Sequence, residues 1–361
     1  TLDAVDIPVG PWGHSIDLPW AGPEAEAWNG RLIAKSLAKL REYGFTTASG
    51  LPRIAYQGIR AGQPAFDFTA GDRQMQAFRD AGFSMPVVSY CPLPGLNTYF
   101  RDETALQAAG MSDYSQFLRA LFSTVQAHAD QAAWLPVYWN IGDEPIGDAL
   151  TRSAENAEAY RQAFPSGPPL FTAASSFAGS DAADPHFRLS RALHVANWNL
   201  HDEASVKLLH DAGGQWAFYN GGNRWTFGVY MYKAARQFDM QFRLSWHWNA
   251  TAGDPYYALD CREDDYAWCQ ASPQGALIPS VHFEQLREGL DDYRRLATLA
   301  RLAGQRAATP AGQDAQQLVA RVVGSFRLGD RELTGWPSFA ALRAELDAAI
   351  NRLRAEGAET R

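Results

Sequence analysis

The chain of 361 residues has no apolar stretch of about 18 residues, so it has no candidate membrane-spanning helix. It also lacks any run or stripe of lysine and arginine. With 32 basic against 40 acidic residues and a net charge of −8, it is not built to hold nucleic acid or another polyanion. There are only three cysteines, and none stands at a zinc-ligand spacing from a histidine. No metal and no cofactor is implied. Cys261 and Cys269 bracket a polar loop and read equally well as a loop-stapling disulfide or as two unpaired thiols. Cys91 follows the strand-like Pro86–Tyr90 and reads as a packed side chain. Thr1-Leu-Asp-Ala-Val-Asp6 has neither the basic start nor the apolar block of a signal peptide. The sequence does not begin with Met, so a processed or shortened chain is expected. A secreted or periplasmic location is the first expectation, with a cytoplasmic one left open.

What is present is a globular composition: 46% hydrophobic residues, with 12 Trp, 14 Tyr and 19 Phe. Short apolar runs recur at Ile7–Gly10, Phe45–Ala48, Pro86–Tyr90, Leu135–Ile141, Leu170–Ala174, Leu193–Trp198, Gln215–Tyr219 and Phe242–Trp248. Amphipathic helical patterns lie between them. Arg31–Tyr43 carries an apolar stripe and stops at Gly44, and Thr69–Ala81 stops the same way at Gly82. Met111–Gln131, Asp148–Phe164, Asp202–Ala212, Thr226–Phe238 and Phe283–Leu302 supply the others. Eight strand–helix alternations predict a (β/α)8 TIM barrel. An open doubly wound sheet would need a Gly-rich phosphate turn after its first strand, and Pro11-Trp-Gly-His14 is no such turn. The barrel is predicted over residues 1–303. Residues 304–361, ending in the amphipathic Ser338–Ala355, are expected as a helical extension packed on it.

Barrel sites lie at the carboxyl ends of the strands. In this chain those ends carry Trp12 and His14, Tyr90, Trp139 and Asn140, Asn197, Trp198 and Asn199, Tyr219, Asn220, Asn223 and Arg224, and Trp246, His247, Trp248 and Asn249. Aromatic rings match the C–H faces of sugars, while Asn and Arg supply directional hydrogen bonds. A carbohydrate partner is therefore expected, with His14, Tyr90, Trp139, Asn197, Trp198, Tyr219, Asn220, Arg224, Trp246 and Trp248 as candidate binding residues. Any one Trp of this set has core packing as its ordinary alternative.

The fourth strand ends in Asn140-Ile-Gly-Asp-Glu-Pro145. Proline stops the strand and leaves Asp143 and Glu144 at its tip. Two adjacent carboxyls push their pKa values apart, so one can carry a proton near neutral pH. Common retaining glycosidases place a second carboxylate about 5 Å away on another strand. The seventh and eighth strands have no Asp or Glu, and Asp202 and Glu203 after the sixth read as helix caps. A substrate-assisted route needs only one acid and one neighbouring anion. Glu144 is then expected as the acid/base, with a raised pKa. Asp143 would be the ionised group that orients a 2-acetamido substituent, and Tyr219 a donor to the acetamido oxygen.

The Gly-Asp-Glu-Pro145 motif after an aromatic strand resembles glycoside hydrolase family 123, the β-N-acetylgalactosaminidases. So does Ile278–Tyr293, with its Pro-Ser element leading into Leu-Arg-Glu-Gly-Leu-Asp-Asp-Tyr. His282 stands where that family's helix opens on Arg. The resemblance covers roughly Trp134 to Leu302. It implies a metal-free, retaining exo-glycosidase that removes a terminal β-linked N-acetylhexosamine, most readily N-acetylgalactosamine. Two alternatives stand beside this reading. One is an inverting hydrolase drawing its base from Asp254, Asp260 or Asp264. The other is a carbohydrate-binding barrel without catalysis.

Overall fold

The structure is a computed structural model that describes residues 1–12, 34–47, 52, 54–89, 103–179, 181–246, 248–250, 267–271, 276–330 and 334–359. The predicted apolar runs become strands in the predicted order. They are β1 (Val9–Trp12), β4 (Val87–Val88), β5 (Val137–Asp143), β6 (Leu170–Phe177), β7 (Val195–Leu200), β8 (Gln215–Phe218) and β9 (Arg243–Trp246). All seven are parallel neighbours in the order β1-β9-β8-β7-β6-β5-β4. Pairing of β1 with β9 curls the sheet back on its first strand.

The run predicted as the second barrel strand takes another form. Residues 45–47 form no strand ladder of their own. Thr46 and Thr47 both donate their backbone N–H to Val9 O, at 3.0 and 3.1 Å. The Thr46 hydroxyl accepts from Val9 N at 2.8 Å, and the Thr47 hydroxyl donates to Pro86 O at 2.5 Å. Two threonine side chains thus bridge β1 and the residue before β4. The eighth position of the (β/α)8 barrel is filled, largely by side-chain bonds.

Helices wrap the strands: α1 (34–43), α2 (Thr69–Asp80), α3 (Glu103–Ala108), α4 (Tyr114–Gln131), α5 (Gly147–Ala163), α6 (Pro185–Ala192), α7 (Glu203–Asp211), α8 (Arg224–Phe227) and α9 (Val229–Gln237). Their starts follow local chemistry. Asp113, Asp184 and Asp202 each accept a backbone N–H in the first turn, and Pro185 occupies a first-turn position where no N–H is needed. Elements not foreseen include the hairpin β2 (Ala55–Arg60) and β3 (Gln63–Asp67), the short α3 and α6, and the split of one predicted helix into α8 and α9. Small strands β10 (Trp248–Ala250), β11 (Ala267–Ala271) and β12 (Leu277–Pro279) form a separate sheet. Three helices finish the chain: α10 (Val281–Gln305), α11 (Pro310–Gly324) and α12 (Phe339–Glu359). None of the described helices is long and apolar enough to cross a membrane.

Strand side chains alternate between two faces. One face of β4–β9, with the residues flanking β8 and β9, supplies a small inner cluster of Val88, Tyr138, Ala174, Val195, Ala217, Tyr219, Phe242 and Leu244. The other face packs on the helices. Phe122 of α4, for instance, sits 4.9 Å edge-on from Phe171 of β6 and 5.5 Å from Tyr160 of α5. Burying such a ring contributes about 2–3 kcal/mol, so the outer layer holds the barrel's shape.

Candidate active site

The tip of β5 departs from regular strand geometry in two ways. Asn140 pairs with Thr172 and Asp143 with Ala174, so three steps on β5 match two on β6. This bulge leaves Ala174 N without its ladder partner, and the Asn140 side chain accepts that proton at 3.3 Å. Bulges recur beside active sites because they re-aim the side chains beyond them. Glu144 then adopts φ +43°, a left-handed backbone rarely taken outside glycine, while its N–H reaches Ala174 O at 3.1 Å. Adjacent strand residues normally point to opposite faces. The bulge and the left-handed residue break that rule.

Both carboxyls consequently come near one phenol. Tyr219 follows β8 directly, is buried on the inner face, and donates its hydroxyl to Glu144 Oε1. Burial, the bond to Glu144, and the charges of Glu144 and Asp143 together hold the phenol far above its ordinary pKa. Tyr219 is therefore a proton donor and not a base. Asp143 reaches solvent, yet desolvation by the surrounding protein and the charge of Glu144 push its pKa up to about 6. This differs from the sequence expectation, in which Asp143 stays ionised.

The other expected residues divide into groups. Asn197 lies on the inner face, in register with Ala174 and Ala217. It is fully buried, and its amide oxygen and nitrogen have no partner among the described residues. Asn220 turns the chain after Tyr219 with φ +65°. Trp139 and Trp198 belong elsewhere. They fall on the outer face, because the strand alternation that points Asn140 and Asn197 inward points them at the helices. Trp139 packs edge-on to Phe122 at 5.9 Å, and Trp198 donates to Ser190 Oγ at 2.9 Å and tilts against Trp216. Both are core residues. Arg224 is also displaced from the sugar-binding role. It opens α8 and pairs with Asp292 of α10 at 2.7 Å, beneath the Phe339 ring. Asn223 caps α8 by accepting from Thr226 N at 2.9 Å.

Asp202 caps α7 and Glu203 pairs with Lys233 at 3.1 Å, as helix-start residues should. Cys269 is buried, has no disulfide partner among the described residues, and desolvation pushes its thiol up to about 12; the other half of the expected pair, Cys261, lies outside the described residues. His282, the second residue of α10, is half-buried and its pKa is lowered by desolvation. Trp12, Trp246, Trp248 and Asn249 are described in backbone only: Trp12 pairs in register with Trp246 between β1 and β9, and the other two lie in β10. His14, Tyr90, Cys91, His247, Asp254, Asp260, Cys261 and Asp264 lie outside the described residues. No group of three or more His, Cys, Asp or Glu side chains converges as metal ligands would, among the described residues.

Two features were missed in the sequence. Arg243 is fully buried in β9, inside a run that read as apolar. A charged residue in a buried strand was the available signal. The second is a groove of about 750 Å³ beyond the ends of β6 and β7, lined by Phe177, Leu200, His186, His201 and Asp202 among others. Phe177 and Leu200 are both about half exposed there.

No family model matches the chain, and no curated protein matches it in sequence. Solved structures with a similar course of chain include three glycoside hydrolases. The glycosylated endo-β-1,4-xylanase of family 10 from Gloeophyllum trabeum aligns at 11% identity and a TM-score of 0.48, over 80% of this chain and 97% of its own. The catalytic domain of family 30 xylanase C from Talaromyces cellulolyticus aligns at 11% and 0.45, over 81% and 76%. The β-1,4-mannanase of the sea hare Aplysia kurodai aligns at 12% and 0.36, over 68% and 89%. Likenesses of this size carry no inference about the reaction.

Proposed function

We propose that the protein is a glycoside hydrolase in which Asp143 and Glu144 share the acid and orienting roles on a terminal β-linked N-acetylhexosamine. N-acetylgalactosamine is the first choice, through the resemblance of Gly142–Pro145 and Ile278–Tyr293 to family 123. The observation that carries the reading is the contact of Tyr219 with Glu144 beside the near-neutral carboxyl of Asp143. A strand tip that merely ended in acidic residues would not need a strained backbone and a buried phenol to gather them.

Desolvation and the charge of Glu144, which push the Asp143 carboxyl up to about 6, let Asp143 carry a proton into the reaction. An acetamido N–H donating to Asp143 favours its charged form. The proton then moves to Glu144, which protonates the leaving oxygen. The acetamido oxygen attacks the anomeric carbon, the bond to the leaving group breaks, and a cyclic oxazolinium ion forms. Tyr219, released from Glu144, donates to the acetamido oxygen and fixes its approach. Water then opens the ring, with Glu144 taking the water's proton. Asn140 holds the bulge that aims the pair. The groove bearing Phe177 lies along the neighbouring β6, about 10 Å beyond Ala174 at 3.3 Å per residue, and would take a further sugar of the substrate.

The test is turnover of aryl β-N-acetylgalactosaminide and β-N-acetylglucosaminide beside the unacetylated sugars, together with binding of a thiazoline that mimics the cyclised intermediate. Cleavage restricted to acetamido sugars and submillimolar thiazoline binding are expected. Equal turnover of unacetylated sugars would overturn the substrate-assisted route. A Glu144→Gln protein with the parent rate would overturn the site.

A further inference from the structure

Arg243 is the most costly side chain in the barrel. Its guanidinium is fully buried between the rings of Phe218 and Phe227, at 4.0 and 4.4 Å from their centroids. No carboxylate lies within ion-pair distance of it among the described residues. Burial alone holds it well below the ordinary arginine pKa. A buried charge without an anion is a liability, and an apolar side chain of similar volume would fill the slot at less cost. The compensation lies in what its donors touch. One terminal nitrogen donates to Leu244 O. The other donates to Asn220 O, to Gly221 O at 3.1 Å and, weakly, to the Thr226 hydroxyl at 3.4 Å.

Those carbonyls belong to a turn with an unusual backbone. Asn220 and Gly221 are consecutive left-handed residues, at φ +65° and +58°. The turn follows Tyr219 without an intervening residue, and Tyr219 N is anchored to Trp198 O at 3.0 Å. The Thr226 hydroxyl closes the same turn from the other side by donating to Gly221 O. A continuous path results: a buried cation in β9, two carbonyls of the turn after β8, the phenol that precedes them, and the carboxyl at the tip of β5.

We propose that Arg243 is a positioning residue: its grip on the Asn220 and Gly221 carbonyls fixes the turn after β8 and so holds the Tyr219 hydroxyl on Glu144. The proposal rests on the reading of Asp143 and Glu144 as the reacting pair, but its structural half stands without it. Lysine cannot replace the planar fork, because a single ammonium cannot reach two successive carbonyls and stack between two rings at once. Arg243→Lys keeps the charge and most of the volume while removing that geometry.

The experiment joins a structure to a double-mutant cycle. In the crystal structure of Arg243→Lys the Tyr219 hydroxyl is expected to have left Glu144. On the aryl N-acetylhexosaminide, kcat is expected to fall about tenfold or more with KM within about twofold, since the groups affected act on the reacting atoms and not on sugar binding. Tyr219→Phe in the Arg243→Lys background is expected to lower kcat little further, because both changes remove one interaction. Additive losses, or a variant structure with Tyr219 still on Glu144, would overturn the proposal. If the lysine protein does not fold, Arg243→Gln, uncharged and with two donors, is read by the same two criteria. A parent protein that cleaves no glycoside sinks the proposed function, while the position of Tyr219 in the variant still decides the role of Arg243.

Discussion

Two acidic pairs in this molecule are built from the same residue types and set to opposite purposes. Asp143 and Glu144 stand at the tip of β5 beside a phenol, where burial and mutual repulsion raise the Asp143 carboxyl to about 6. Glu288 and Asp292 stand on α10 among arginines. Arg224 and Arg343 both bond Asp292, at 2.7 and 2.8 Å, and Arg343 and Arg287 bond Glu288. Burial works to raise the Glu288 carboxyl, but Arg343, Arg287 and Arg224 outweigh it and the pKa is lowered. Acidic residues neutralised by a fitted cation hold helices together. Acidic residues left to repel each other hold a proton that can be given away. The opposite directions of the two pKa shifts come from the neighbours, not from the carboxyls.

The largest effect that would sharpen this contrast is on rate. Glu144→Gln should reduce turnover of the cleaved glycoside by about 10²–10⁴-fold, the span of general acid–base catalysis, with a melting temperature near the parent's. Steady-state kinetics beside a thermal melt checks both halves. Asp292→Asn should do the reverse. It leaves Arg224 and Arg343 without their shared anion and should cost about 3 kcal/mol in urea unfolding, the low end for breaking a buried pair because both guanidiniums keep some solvent. The rate per folded molecule should not change.

The smallest effect is the pH dependence of stability, where the two pairs have opposite signs. The Asp143 pKa is raised on folding, so its contribution is fully present below the unfolded value of 3.8 and is lost as pH rises through about 6. Asp143→Asn should therefore match or exceed the parent's stability at pH 7 and lose that advantage towards pH 4. The effect is small because the group reaches solvent. The Glu288 pKa is lowered on folding, so its contribution is present above the unfolded value of 4.5 and is lost as pH falls through the folded value. Glu288→Gln should be less stable at pH 7 and approach the parent on acidification. Melts of both variants from pH 4 to 7 that ran in parallel would break the comparison.

The barrel was legible in the sequence because parallel strands, covered on both faces, leave apolar runs that stand out from amphipathic helices. The hairpin β2–β3 was not, since β2 is mostly half-exposed and mixes Gln57, Gly58 and Arg60 with its apolar residues. The strand tip carrying Asp143 and Glu144 was legible from Gly142 and Pro145. Which face each neighbour takes was not. Trp139 and Trp198 adjoin inward-facing asparagines, and one step along a strand exchanges sugar contact for core packing. Arg224 was misplaced by a similar margin, since α8 has already turned its side chain towards α10. The bulge at Asn140, which decides where the carboxyls point, depends on pairing with Thr172 and Ala174 and leaves no mark in the order of residues.

The bridging of β1 to Pro86 by Thr46 and Thr47 gives the wall a seam stitched in part by hydroxyls, where β6 and β7 are joined by a full ladder. A junction closed partly by side chains opens more readily than one closed by a continuous backbone ladder. Deuterium should therefore enter the amides of Val9, Thr46 and Thr47 ahead of those in β6 and β7. A sideways opening of the barrel without unfolding would part along that line, on the side away from β6 and β7.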